Sequence, residues 1–435
     1  MVIVDTRLHE LELAGTPIRV GLVGAGVMGR MVALQLLTPL TGIRLAAIAN
    51  RTLSRAVQAF REGGVDEIQT VDSLAQLNEA VRRNRAAVLD DPLLLCEAEG
   101  IDVIIEVTGT VEFGARVVLK AIEQHKHVIL VNAELDSTLG AVLKHHADRA
   151  GVVISNIDGD EPGVAMNLVR YVRTLGFAAV GAGNLKGMID PYRTPATQQA
   201  FAEQYGQNPA IVTSFADGTK LSMEETILAN ASGFRVGQRG MYGPKCKHVK
   251  EIAALLPIDQ LLDGGLVDYA LGAEPFTGAY VIVHEPHPIK QKHLSYLKMG
   301  NGPLYVFYTP YHLPHIQLPS SVARAALFHD ATTAPIGAPR CDVITLAKRD
   351  LHEGEILDGV GGYTCYGTIE NAPIVRRQGL LPMGLSEGCR LNRAVVKDTP
   401  LTYDDVTLPP NRVSDRLRAE QNTLFSMTTN ETVPV

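Results

Sequence analysis

Residues 18–29 read Ile18-Arg19-Val20-Gly21-Leu22-Val23-Gly24-Ala25-Gly26-Val27-Met28-Gly29. The first six are a short apolar run rich in β-branched residues, the pattern of a buried strand. It passes without a break into Gly-x-Gly-x-x-Gly, and an apolar helical pattern follows through Met31, Val32, Leu34 and Leu36 as far as Pro39. Glycines placed between a strand and a helix have a physical use. Gly24 allows the tight turn, Gly26 lets backbone approach a pyrophosphate, and Gly29 lets helix and strand pack closely. Backbone around Ala25, Val27 and Met28 then presents N–H groups to phosphate at the helix start. The plain alternative is a glycine-rich turn that binds nothing.

The pattern repeats outward. Ile43 to Ala49 reads as a second strand, Ser54 to Glu62 as a helix, and Ser73 with Gln76 as a capping box opening another. Val103 to Val107 is a strand, Val111 to His125 a helix, and Val128–Val131 and Val152–Ser155 are further strands. Strands alternating with helices at this spacing predict an α/β fold: a parallel sheet of Rossmann type with helices on both faces. The rhythm changes near Ile157. From there to about 335 strands, Gly/Pro loops and helices such as Thr194–Gln204 and Met223–Ala231 are mixed, as in an α+β substrate domain. From Cys341 the strands become short and are broken by glycines. The expected domains are 1–157, 158–335, a β-rich 336–408 and a mobile tail at 409–435. Ala347–Leu351 and Ala394–Asp398 echo each other faintly.

The second strand ends in Ala49-Asn50-Arg51-Thr52. An acidic residue at such a position would take the ribose 2′-hydroxyl of NAD(H). Asn50, 26 positions past Gly24, is not acidic, and Arg51 beside it suits a 2′-phosphate, so NADP(H) is expected over NAD(H). Thr108 and Gly109 end the strand at 103–107 and would let the nicotinamide side lie close to backbone. Asn132 and Glu134 follow the strand at 128–131 and complete the expected cofactor residues. Glu106 reads as a buried hydrogen-bonded carboxylate.

For chemistry, hydride transfer needs a group that handles the proton on the substrate oxygen. Lys186, flanked by glycines at the end of an apolar run, is one candidate, with desolvation expected to lower its pKa. Lys220 and Glu224, four residues apart, are two more, whereas Glu225 with Ser222 reads as a capping box. An exposed loop lysine is the plain alternative for Lys186. Asp158, Asp160 and Glu161 crowd within four positions. They are weak candidates for a Mg²⁺ or Mn²⁺ site, with an acidic turn favoured, so a divalent metal is not assigned. His284-Glu285-Pro286-His287 is not a metalloprotease motif, because Pro286 disfavours a helix presenting both histidines. His312 and His315 flank Pro314 and read as structural loop histidines, with binding of substrate hydroxyls by this pair or by His284 and His287 as the alternative. Lys290, Lys292 and His293 read as a solvated basic loop, with a phosphate or carboxylate contact as the alternative.

The glycine loop, Glu106-Val107-Thr108-Gly109-Thr110 and Val131-Asn132-Ala133-Glu134 together resemble the cofactor domain of homoserine dehydrogenases over residues 17–155. Those enzymes carry Asn-Lys where Asn132-Ala133 stands here, which puts simple homoserine oxidation in doubt. The rest resembles homoserine-dehydrogenase-like proteins with a C-terminal SAF domain, a β-clip module. The motifs that carry this are Asp158–Gly163, Gly183–Gly187, Asp217–Lys220 with Glu224-Glu225-Thr226, Lys298–Pro303, Tyr308–His312 and Ala347–Leu351 with Gly354-Glu355. That group includes deoxyxylulose-phosphate-reductoisomerase-like enzymes and oxidoisomerases of branched sugar acids. The resemblance implies NADP(H)-linked redox chemistry on a small polyol, sugar acid or sugar phosphate. The rival readings are a non-catalytic NADP(H)-responsive protein that recruits partners through the SAF domain, and a homoserine-type dehydrogenase.

Composition narrows the field. The chain has 435 residues, 46% hydrophobic and 20% charged, enough to bury a core. A net charge of −7 gives no footprint for a polyanion, so no nucleic-acid partner is expected. No run of 18 apolar residues appears, so no membrane partner is expected. The first residues lack a basic stretch followed by an apolar one, so no signal peptide is expected. Five scattered cysteines fit reduced thiols, and a cytoplasmic homo-oligomer acting on a small molecule is expected.

Overall fold

The computed structural model describes residues 2–426 and divides the chain into two compact units. The first takes the chain up to Gly159 and then Leu313–Ala334. The second takes Asp160–His312 and the chain from Pro335 onward.

In the first unit, α1 (Val2–Leu13) precedes seven strands: β1 (Ile18–Val23), β2 (Ile43–Ala49), β3 (Ile68–Thr70), β4 (Ala86–Leu89), β5 (Val103–Glu106), β6 (His127–Leu130) and β7 (Ile154–Asn156). Between them run α2 (Val27–Leu37), α3 (Leu53–Glu62), α4 (Leu74–Arg82), α5 (Pro92–Glu97), α6 (Val111–Glu123) and α7 (Ala133–Ala150). The strands lie in the order β3-β4-β2-β1-β5-β6-β7, all parallel. A parallel sheet needs both faces covered, and Val20, Leu22, Ile48, Ile105 and Ile129 are buried in one core with Val32 and Phe60. Into the same core α14 (Pro314–Phe328) sends Leu318, Val322 and Ala325. Because β1 lies between β2 and β5, the strand order reverses there, and the crevice of an open α/β sheet forms beyond the carboxyl ends of those strands.

The second unit begins with α8 (Glu161–Thr174) and β8 (Ala178–Lys186). After α9 (Pro195–Gln204), α10 (Pro209–Ala216), α11 (Thr219–Ser232) and α12 (Ile258–Leu262) come β9 (Leu266–Leu271), β10 (Ala279–His284), α13 (Pro288–Tyr296) and β11 (Leu304–Thr309). The sheet order is β11-β10-β8-β9, with β8 and β9 parallel and β10 antiparallel to its neighbours. Period-two alternation sorts its side chains. Ala279, Val281 and Val283 pack with α8 and α11, whereas Tyr280 and Ile282 pack with Ile252 and Leu261 on the other face.

The β-rich stretch holds an antiparallel pair, β12 (Cys341–Ala347) and β13 (Cys365–Asn371). It continues into α15 (Ala372–Gln378), then β14 (Arg390–Leu391) paired with β15 (Val406–Thr407), and α16 (Val413–Leu424). It does not stand apart as expected for 336–408. It shares the second unit because hydrogen bonds tie it to α11: Gly367 N–H donates to Thr219 Oγ1 (2.8 Å) and Cys341 N–H to Asn230 Oδ1 (3.1 Å). The two echoing segments are paired with each other, Leu351 N–H donating to Val395 O (2.8 Å) and Val395 N–H to Leu351 O (3.0 Å). Within the tail expected to be mobile, α16 is ordered, because Arg418 is buried in an ion pair with Asp342. Residues 427–435 of that tail lie outside the described residues.

Two expected caps differ. Ser73 precedes α4 without a side-chain cap, and Gln76 accepts instead from Asp72 N–H (3.2 Å). Ser222 lies inside α11, which starts three residues earlier because Gly218 turns at φ 86° and Asp217 Oδ1 accepts from Thr219 N–H (2.9 Å).

Candidate active site

The glycine loop of the first unit has the shape a dinucleotide needs. Gly24 sits at φ +110°, where a Cβ would meet the Val107 side chain and backbone at 3.2–3.3 Å. A Cβ on Gly29 would lie 2.2 Å from Gly24 O, so α2 and β1 pack as closely as the motif predicts. Over Gly26 a Cβ would meet nothing within 4 Å. Gly26 is also the N-cap of α2, and no side chain caps the N–H groups of that first turn. That combination fits a pyrophosphate.

Asn50, at the end of β2, braces this loop. Its Oδ1 accepts from Ala25 N–H (2.9 Å) and its Nδ2 donates to Thr52 O (2.8 Å). Arg51 is exposed and makes no hydrogen bond or ion pair among the described residues. Across the switch point, Glu106 is fully buried at the end of β5. It accepts from Thr108 N–H (2.8 Å), from the Thr108 hydroxyl and from Asn132 Nδ2 (2.8 Å). Burial pushes its carboxyl up to about 7 against those bonds. Gly109 turns at φ +67°, and Glu134 lies in the first turn of α7. Asp158 is committed elsewhere in this unit: its carboxylate meets Arg324 (3.5 Å) and the Thr332 hydroxyl.

In the second unit a lysine is clasped by acids. Lys186 Nζ donates to Glu161 Oε1 (2.9 Å) and to Glu224 Oε2 (3.2 Å). Asn184, two residues earlier on the same face of β8, donates from Nδ2 to Glu224 Oε2 (3.0 Å). His312 Nε2 lies 3.6 Å from Glu161 Oε2, and its Nδ1 lies 2.9 Å from Thr277 Oγ1. Carboxylate oxygens of Asp160, Glu161 and Glu224 lie within 4.8 Å of one another. Hard cations take such oxygen sets; here two of the three, Glu161 and Glu224, hold the Lys186 ammonium. Of the weak metal candidates, Asp160 and Glu161 join this cluster and Asp158 does not. Lys220, one turn before Glu224 on α11, adds a positive field that draws both Asp160 and Glu224 downward.

Charge state follows from these neighbours. Burial alone would lower the pKa of Lys186, but Glu161 and Glu224 overcome it and hold the lysine above its ordinary range. The expected fall toward neutrality is therefore reversed, because two carboxylates stand where the sequence suggested only glycines. Burial pushes Glu224 up, and the charge of Glu161 adds to that against the pull of Lys186. Glu161 itself is held low, since Lys186 and His312 outweigh its burial. Glu225 caps nothing. It is fully buried inside α11, where burial first and Asp268 second raise its carboxyl well above the usual range.

The sequence reading placed Lys186, Lys220 and Glu224 among the catalytic candidates, and they meet here. It gave Glu161 only as a metal candidate, favoured a structural loop role for His312 over contact with substrate hydroxyls, and assigned no role to Asn184. The Asn-x-Lys alternation in a strand was the available signal for Asn184. The other motifs are occupied locally: His287 accepts from Ile289 N–H at the start of α13 (3.2 Å), and Lys290 pairs with Glu285 (3.0 Å).

Residues 20–155 match a family model described as the NAD binding domain of homoserine dehydrogenase. Residues 159–318 match one described as the catalytic domain of oxidoreductase DRL. The two matches lie in tandem, a dinucleotide-binding domain model followed by an oxidoreductase catalytic domain model. A homoserine dehydrogenase of Neisseria gonorrhoeae is 26% identical over 141 residues, which are 32% of this chain and 28% of that protein. The chain thus aligns with under a third of that relative's length. Among solved structures, a probable dehydrogenase from Thermotoga maritima is 16% identical, covering 61% of this chain and 72% of that one at a TM-score of 0.38. The scyllo-inositol dehydrogenase of Lactobacillus casei, solved with NAD(H) and scyllo-inositol, is 13% identical, covering 61% and 73% at 0.36. No helix among the described residues is long and apolar enough to cross a membrane.

Proposed function

We propose that this oxidoreductase moves a hydride between NADP(H) and a hydroxyl- or carbonyl-bearing carbon of a small polyol, sugar acid or sugar phosphate. The observation that carries the reading is Lys186 clasped between two buried carboxylates of unlike character. Gly24, Ala25, Gly26, Val27, Met28 and Gly29 would hold the pyrophosphate, with Thr108, Gly109, Asn132 and Glu134 on the nicotinamide side. Bound, the nicotinamide supplies or accepts the hydride.

The protein's own groups handle the rest. Lys186, held charged by Glu161, offers a hydrogen bond to the substrate oxygen that gains negative charge. Glu224, pushed upward by burial, gives that oxygen a proton in reduction and takes one in oxidation. Asn184 fixes the orientation of Glu224, and Lys220 adds positive potential beside it. Polyhydroxylated substrates suit the cluster, because adjacent hydroxyls can donate to Asp160 and Glu161 while one oxygen meets Lys186.

Preference for NADP(H) rests on Arg51, exposed beyond β2 with no acidic neighbour to clamp a ribose. NADPH is expected to bind more tightly than NADH, and Arg51→Asp to reverse the order, as read by fluorescence titration. Equal affinities in the wild type would end that part of the proposal. A homo-oligomeric state belongs to the same proposal and is checked by sedimentation velocity. The activity is tested with a panel of ketoses, keto-acids, polyols and deoxyxylulose phosphate, following NADPH absorbance. Product NMR separates plain reduction from reduction with skeletal rearrangement. Cofactor binding with no turnover on any member would favour a non-catalytic NADP(H)-responsive protein.

A further inference from the structure

The loop after β5 is held by a pair of buried side chains that direct three hydrogen bonds at it. Glu106 accepts from Thr108 N–H (2.8 Å) and from the Thr108 hydroxyl. Asn132 Nδ2 donates to Glu106 Oε2 (2.8 Å) and to Thr110 O (3.0 Å), while its Oδ1 accepts from Leu135 N–H (3.0 Å) at the start of α7. Both side chains are fully buried. They therefore clamp the two ends of residues 107–110 to the carboxyl end of β5 and to the N-cap of α7. Space is reserved for them, since a Cβ on Gly114 would lie 2.9 Å from Asn132 Nδ2 and 3.2 Å from Glu106 Oε2. The clamped loop also forms one wall of the switch point: Val107 is what a side chain on Gly24 would strike. Its tip, Gly109 and Thr110, is exposed.

A carboxylate buried in a strand that is otherwise Val-Ile-Ile is costly, and packing alone would be served by leucine. The bonds say what it does instead. All of its hydrogen-bonding partners are donors, so it acts as a pure acceptor that fixes a peptide and a hydroxyl in one orientation. Asn50 braces the glycine loop on one side of the crevice, and Glu106 with Asn132 braces the facing loop on the other. We propose that Glu106 and Asn132 form a positioning pair that shapes the 107–110 loop to receive the nicotinamide half of the dinucleotide. This rests on the cofactor reading above and goes beyond it, since neither carboxylate nor amide needs to touch the cofactor.

The test compares two ligands that differ only beyond the pyrophosphate and its attached ribose. NADH carries the nicotinamide, and ADP-ribose lacks it. Glu106→Gln keeps the shape but places an NH₂ donor against Asn132 or Thr108. Thr108→Val removes the hydroxyl while keeping a β-branched side chain. Calorimetric titration of the full chain is expected to show that each variant loses about tenfold or more in NADH affinity, the scale of one unsatisfied buried partner. ADP-ribose affinity should stay within about twofold. A parallel loss for both ligands would make the pair a general fold support and overturn the proposal. No loss for NADH in either variant would overturn it too. A wild type that binds ADP-ribose but gains nothing from the nicotinamide would overturn this inference alone, whereas failure to bind either ligand or NADPH would remove the cofactor reading and this inference with it.

Discussion

Lys186 sits where burial and charge oppose each other. Removing a lysine from water favours its neutral form, and an adjacent carboxylate favours the charged one. With Glu161 at 2.9 Å and Glu224 at 3.2 Å, charge prevails. Lys186→Met keeps the apolar stem and removes the donor. It should leave cofactor affinity nearly unchanged and cut turnover at least about 100-fold, the lower range for a lost acid–base or oxyanion group. Single-turnover kinetics on an identified substrate measure it. Asp136 shows the opposite balance, with no cation pairing with it among the described residues. It is buried, takes one hydrogen bond from Asn156 Nδ2 (3.1 Å), and burial lifts its carboxyl up to about 7. The unfolded carboxyl ionises near its ordinary value of 3.8, so between that pH and about 7 only the folded chain keeps the proton. Stability contributed by Asp136 is therefore present at low pH and lost as pH rises through this window. Asp136→Asn cannot ionise, and Asn156 Oδ1 has no hydrogen-bond partner among the described residues. The variant's melting temperature relative to wild type should rise between pH 4 and pH 8, by about 2–4 °C for each ~1 kcal/mol recovered. A constant offset across that range would refute the assignment.

At the level of elements, β8 and α11 bring the second unit's chemistry together. Asn184 and Lys186 share one face of β8 by period two, and Lys220 and Glu224 share one face of α11 by the i, i+4 rule. Both spacings were readable in the sequence. The start of α11 was not, because the Asp217 side chain and the left-handed Gly218 set it, and Ser222 offered a competing cap. The same Asp217 meets Lys348 at 2.9 Å, and Lys348 also donates to Arg193 O and Gly362 O, both at 2.8 Å. Sequence resemblance drew attention to Lys348; in the fold it is a buried tie between the β-rich stretch and the segment ahead of α11. Lys348→Met leaves Asp217 buried without its cation, and such a loss costs about 3–5 kcal/mol. Urea denaturation is expected to show a lowered midpoint, and an unchanged midpoint would mean the tie carries no stability. In the first unit, Gly26→Val enters open space, so the variant should melt like wild type yet fail to bind NADPH by calorimetry. Binding at wild-type affinity would show that the glycine loop is not the phosphate site.

For the whole molecule, strand–helix alternation was enough to read the parallel sheet, because each strand there is local and bounded by turns. It missed β3 and β4, which are three and four residues long and carry little pattern. Unit boundaries were harder. The return of Leu313–Ala334 to the first unit is a long-range packing event, carried by Leu318, Val322 and Ala325, and no local signal marks it. The partition of 336–408 was hidden for the same reason, since hydrogen bonds from Thr219 and Asn230 join it to α11. The cluster around Lys186 was half visible: its lysines and Glu224 stood out as chemistry, whereas the approach of Glu161 and His312 depends on how α8 and the segment after β11 fold back. The most direct test of the account is NADPH consumption over the carbonyl panel, run side by side with wild type and Lys186→Met. The account predicts at least one polyhydroxylated carbonyl compound turned over by the wild type and slowed at least about 100-fold by the substitution. Turnover by Lys186→Met within about tenfold of wild type, less than the loss of such a group should cause, would contradict it.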